Sequence, residues 1–232
     1  TTSAEIDAGT NTVQLIMSSA TGNDDAATTP DVSNSAKIKG ANLSLVKVGG
    51  GDQIFSLTEG AKSGGTITVK EGKLILNNSS GSIFMETGDR SATSFIDIKG
   101  GATLEVAATT GASSEWARYI NGEATGTLAF ADGNYNIELG LDSTDGAQTF
   151  AGIVSAPSTG GNVGTIKIEN ASSSPGSGHQ KVDELTGAGD IKKTGAGILE
   201  ITGDSSAGGD STTAFSGSMI LEGGTLVLSD VN

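Results

Sequence analysis

Histidine is the side chain best suited to acid–base work near neutral pH, and this chain has one, His179, in the stretch SSPGSGHQK. Set among Gly, Ser and Pro, it reads as a solvated loop residue. No orienting partner is evident for it, and no G-x-S-x-G elbow supplies a serine nucleophile. Carboxylates offer a second chemistry, since glycoside cleavage requires two acids flanking one bond. Asp97 and Glu105 lie on neighbouring strands of one block, but each alternates with apolar residues, the pattern of a solvated outer face. Asp24/Asp25 and Asp142/Asp145 offer oxygens to calcium. Neither segment has the spacing of an EF-hand loop or of the glycine–aspartate nonapeptide. The residues therefore assign no catalytic group, no metal and no cofactor.

One segment stands apart by composition. Ser113–Gly122, SSEWARYING, holds the only Trp and one of the two Tyr residues in a chain with 4% aromatics. Ser113 can cap a single helical turn that brings Trp116 near Tyr119 and Ile120, with Gly122 ending it. Trp, Tyr and Arg dominate binding hot spots, which makes Trp116, Arg118 and Tyr119 the candidate partner-binding residues. The competing reading is a flap anchored by its Trp over the side of the fold.

The elements that position these groups are short strands. In the terminal stretch Leu185–Asn232, Leu199 and Ile201 fall on one face and Glu200 on the other; Leu226 and Leu228 repeat the alternation. Similar strands entered through glycines recur upstream. AKIKG, ANLSLVKV and GGGDQIFSLTEG form one block, and GGTITVK with EGKLILNN opens the next. Placing Leu15, Leu45, Leu76, Val106, Leu139, Ile168, Ile201 and Leu228 at one strand position gives a repeat of about 30 residues. Propeller blades are longer and carry motifs missing here. Three short strands per repeat predict an all-β parallel β-helix (β-solenoid) of about eight coils. As domains, 1–232 reads as one segment: an irregular N-terminal coil over 1–35, degenerate coils with loop insertions over 36–184, and a well-formed repeat over 185–232. The Ser/Gly/Pro-rich Ala171–Gln180 reads as a dispensable excursion.

Composition limits the partners. Lys and Arg number 13 against 27 Asp and Glu, a net charge of −14 with no basic stripe, so a nucleic-acid phosphate backbone is repelled. With no cysteine, disulfides and thiolate metal sites are excluded. No apolar run reaches the length of a membrane helix, and no leader opens the chain. The absent Met and the strand pattern at the end read as a piece of something longer.

GAGDIKKTGAGILEITG (Gly187–Gly203) followed by AFSGSMILEGGTLVL (Ala214–Leu228) resembles the autotransporter-associated β-strand repeat of bacterial autotransporter passenger domains. The family's Lys-Thr-Gly-Ala-Gly turn stands at Lys193–Gly197 and its alternating strand at Leu199 and Ile201. Its aromatic-Ser-Gly stands at Phe215–Gly217 and its closing Gly-Thr-Leu strand at Gly224–Leu226. An inserted AGGDSTT, and Phe215 where the family usually has Tyr, mark a divergent loop. The resemblance implies a right-handed β-helix on a Gram-negative cell surface, exported through the outer membrane by a C-terminal β-barrel that this chain does not include. It further implies an adhesin, a self-association surface or a rigid presenting stalk. Its partner would be a host or neighbouring-cell surface protein or glycan, or the chain itself. A polysaccharide-active β-helix using surface carboxylates is the alternative. A close cluster of three or more ionisable groups in one cleft would favour that enzyme.

Overall fold

A computed structural model of the chain describes residues 5–7, 9, 11–18, 32–33, 37–40, 42–56, 61–77, 95–107, 117–141, 146–168, 178–203 and 214–229. Among the described residues the alternating apolar runs separated by glycine become strands, and none of these residues is helical. In chain order the strands fall into coils. Glu5–Asp7, Val13–Ser18 and Val32–Ser33 are β1–β3; Lys37–Gly40, Leu43–Val48 and Asp52–Ser56 are β4–β6. Ala61–Ser63, Ile67–Val69 and Lys73–Leu76 follow as β7–β9, then Ile96–Ile98 and Thr103–Val106 as β10 and β11. Ile120–Gly122 and Thr127–Phe130 are β12 and β13, and Tyr135–Leu139 and Ala147–Ser155 are β14 and β15. Val163–Ile168 and His179–Thr186 are β16 and β17; Asp190–Thr194 and Ile198–Ile201 are β18 and β19. Met219–Leu221 and Thr225–Leu228 close the series as β20 and β21.

Every pairing among these strands is parallel and joins one coil to the next, which is the architecture of a β-solenoid. One stack runs β2-β5-β8-β10-β12-β15-β17-β19-β21, and a second runs β3-β6-β9-β11-β13-β15. The third face is built by β1-β4-β7 at one end and β14-β16-β18-β20 at the other. The long β15 belongs to two stacks because its register shifts between Phe150 and Ile153. The coils are unequal: Val182 pairs with Ile201, 19 residues on, whereas Phe150 pairs with Val182, 32 residues on. The coil count therefore differs slightly from the eight that an even repeat predicts.

Inward side chains pile into columns. Leu45, Ile67, Ile96 and Ile120 follow one another in direct register, as do Leu74, Leu104, Leu128, Val154 and Leu185. All are buried. Each such side chain stabilises the stack by about 1.5–3 kcal/mol relative to exposure.

The single strand position expected to link Leu15 to Leu228 does not exist. Its members are four true pairs, Leu15↔Leu45, Leu76↔Val106, Leu139↔Ile168 and Ile201↔Leu228, distributed over three faces. Leu45 continues to Ile67 and not to Leu76; Val106 continues to Phe130 and not to Leu139. A second correction concerns Gly122. It ends no helical turn, but lies in β12 between Ile98 and Phe150. A Cβ there would come within 2.9 Å of the Phe150 ring, so glycine makes room for the aromatic side chain in the next coil.

Candidate functional site

An open groove lies over the sheet β14-β16-β18-β20. Its strands alternate cleanly: in Val163–Ile168 and Asp190–Thr194 every second residue is buried, so the intervening ones face outward. Register then assembles ladders that no single strand contains. Asn136, Thr165 and Lys192 are direct partners in successive coils, and beside them run Glu138, Lys167 and Thr194. The turns entering the sheet are tied down by short polar side chains. Asn134 Oδ1 accepts from the Val163 N–H at 3.0 Å, and Asp190 Oδ1 from the Ser218 N–H at 2.8 Å. Asp132 accepts from the Ser158 hydroxyl at 2.7 Å and the Thr159 N–H at 2.9 Å. These bonds, the Ser158 one foremost, hold the Asp132 carboxyl below the usual carboxylate range.

The result is an open groove of about 620 Å³, lined among others by Tyr135, Asn136, Thr165, Lys167, Lys192 and Glu222. That volume is of ligand-site size. Two ion pairs set its charge. Lys167 Nζ lies 3.2 Å from Glu138 Oε1, and Lys192 Nζ lies 2.9 Å from Glu222 Oε1. Lys167, Lys192 and Glu222 thus put three charged groups in one opening, but both ammoniums are paired with carboxylates. One carboxylate lines the groove, not the acid–base pair that glycoside cleavage needs. The geometry suits binding.

The residues singled out from the sequence lie elsewhere. Trp116 and Ser113 fall outside the described residues, as do Asp24, Asp25, Asp142 and Asp145. The helical turn expected over this segment is contradicted where the chain is described: Ala117 bridges to Leu139, and Ile120 begins a strand. Arg118 and Tyr119 are half-buried on the side of the solenoid. The Tyr119 ring stacks on Phe95 from the preceding coil, centroids 5.1 Å apart and planes 3° from parallel. Tyr119 is thereby engaged in holding coils together. Asp97 and Glu105 sit on different stacks, each paired with its own lysine: Asp97 with Lys99 at 3.0 Å and Glu105 with Lys73 at 2.9 Å.

His179 is not a loop residue. It opens β17, and its Nε2 lies 2.7 Å from Glu200 Oε2, a close contact that is not aligned as a hydrogen bond. Lys181 Nζ reaches the same oxygen at 3.2 Å, while the Ser229 hydroxyl donates to Glu200 Oε1 at 2.9 Å. The Ser229 bond and then Lys181 hold the Glu200 carboxyl below its usual range. Ser, His and Glu meet here, yet Ser229 bonds the carboxylate and not the imidazole, so the three do not form a Ser–His–Glu relay.

Gln180 overturns the dispensability of Ala171–Gln180 at its C-terminal end. It is 1% exposed, and its amide accepts from the Ile120 N–H at 3.0 Å and donates to the Ile120 carbonyl at 3.1 Å. The side chain thus replaces a peptide group where β12 and β15 pair only at Gly122 and Phe150. Residues 171–177 lie outside the described ones.

No family model, curated protein or solved structure matches this chain.

Proposed function

We propose that this chain is the passenger segment of an autotransporter-like protein, a cell-surface β-solenoid that binds a glycan in the groove over β14-β16-β18-β20. The observation that carries the reading is the outward ladder of Asn136, Thr165 and Lys192, flanked by Lys167 and Thr194. Amides, hydroxyls and ammoniums repeat there at the strand spacing of about 4.8 Å, over a groove large enough for several sugar units. The Lys-x-Gly-x-Gly corner at Lys193–Gly197 supports the passenger assignment, because the residues of the resemblance form a working corner of the solenoid. In this reading the protein holds its ligand without cleaving it, and export leads through an outer membrane to the cell surface.

The test is retention of the purified chain on an array of bacterial and host glycans, beside a Thr165→Arg variant that plants a long side chain in the groove. Retention by the wild type and its loss in the variant, at equal thermal stability, is the expected result. No retention of the wild type, or equal retention of both proteins, would reject the groove as a glycan site.

A further inference from the structure

With a net charge of −14, the chain as a whole repels an acidic polymer. The groove does not. Its lining carries Lys167 and Lys192 against one carboxylate, Glu222. The two lysines are neutralised in different ways. Glu138 is the direct register partner of Lys167, with a side chain only 5% exposed, so it is built into the wall. Glu222 follows β20, reaches Lys192 from the neighbouring coil, and is 53% exposed. A water-exposed carboxylate on a flexible side chain gains little from such a pair and exchanges readily with another carboxylate.

We propose that the groove takes an acidic glycan, one of whose uronate carboxylates displaces Glu222 from Lys192. The proposal rests on the glycan reading above and names the ligand class. Asn136, Thr165 and Lys192 succeed one another along the stacking direction, so the polymer lies along the stack and crosses the strands, its hydroxyls facing Asn136, Thr165 and Thr194. Lys192 then keeps a charge-assisted contact throughout: with Glu222 when the groove is empty, with the ligand when it is filled. An acidic peptide fits less well. Both β16 and β18 are paired on both edges, which leaves a peptide no backbone to extend and only side chains to hold it.

Hyaluronan oligosaccharides, in which a uronate alternates with a neutral sugar, provide the probe, together with the same oligosaccharides after reduction of their carboxylates to alcohols. Binding to the wild type, Glu222→Gln and Lys192→Gln is measured by calorimetry at low and high salt. The acidic probe is expected to bind more tightly than the reduced one, and less tightly as salt is raised. Glu222→Gln should strengthen its binding by up to about fivefold. Lys192→Gln should weaken it about tenfold without changing thermal stability. Equal binding of the two probes, or a Glu222→Gln variant that binds the acidic one more weakly, overturns the acidic-ligand proposal and leaves the glycan reading standing. Binding of neither probe overturns both.

Discussion

Lys47 and Lys193 stand at different corners of the solenoid and end in the same arrangement. Each occupies an inward position, Lys47 between Met17 and Val69 and Lys193 between Ile166 and Leu221, and each is fully buried. Lys47 Nζ donates to the carbonyls of Val48, Gly49 and Glu71 at 2.6–3.0 Å; Lys193 Nζ donates to those of Thr194, Gly195 and Gly223 at 2.6–3.1 Å. Gly49 and Gly195 take φ of 78° and 75°, a left-handed turn that aims their carbonyls at the ammonium. The sequence behind both corners is Lys-x-Gly-x-Gly, at 47–51 and at 193–197.

Replacing either lysine by methionine keeps the hydrophobic stem and strands three corner carbonyls. Lys193→Met is expected to lower stability by about 1–3 kcal/mol, and Lys47→Met by a similar amount. Urea denaturation followed by circular dichroism checks this. An unchanged midpoint would show that water satisfies the carbonyls equally well.

Leu76 and Val106 pair directly, and both are buried. Leu76→Asp should therefore cost several kcal/mol by placing an unpaired charge between coils. Leu228 is 54% exposed, so Leu228→Asp should change stability little. Thermal melts of the two variants give opposite results if the register is right, and similar ones if it is wrong.

Gln180→Leu preserves volume but removes the amide that serves Ile120. Leaving those backbone groups without a partner is expected to cost about 1–3 kcal/mol. Hydrogen exchange gives a local readout: the Ile120 amide should lose protection in the variant, and retained protection would contradict the bridging role.

The Glu200 carboxyl titrates below its usual range in the folded protein, so the unfolded chain takes up its proton first as pH falls. Its contribution to stability is present above the ordinary carboxylate range, about pH 4, and is lost as pH falls through the lower folded value. Glu200→Gln should remove that part of the acid sensitivity. Denaturation midpoints of both proteins between neutral pH and about pH 3 test this; parallel curves would exclude the Ser229–Glu200–Lys181 cluster as a contributor.

Alternation and glycine spacing made the parallel stack legible in the sequence. Local pairs such as Leu76 with Val106 followed from it, because neighbouring coils there are near the average length. An even repeat aligns Leu45 with Leu76 instead of Ile67, because the step to the next coil is only 22 residues there and three strands per coil share one alternation. Period-two patterning also places Lys193 inward as if by accident. Only the repeated Lys-x-Gly-x-Gly shows that the ammonium has a destination. Trp116, Arg118 and Tyr119 stood out by residue type, yet Tyr119 spends its ring on Phe95. The groove left no local mark, since Asn136, Thr165 and Lys192 are ordinary strand residues that become neighbours only when coils stack.

Because each strand bonds only to the coils before and after it, the hydrogen bonds run along the axis of the stack and carry an end-to-end pull in series. Tension on such a molecule does not shear a long ladder at once. It opens the weakest junction, and every released coil lengthens the chain by a few tens of residues while the rest of the stack stays closed. A solenoid of this kind under load yields in steps, and each step dissipates part of a sudden force before the next junction feels it.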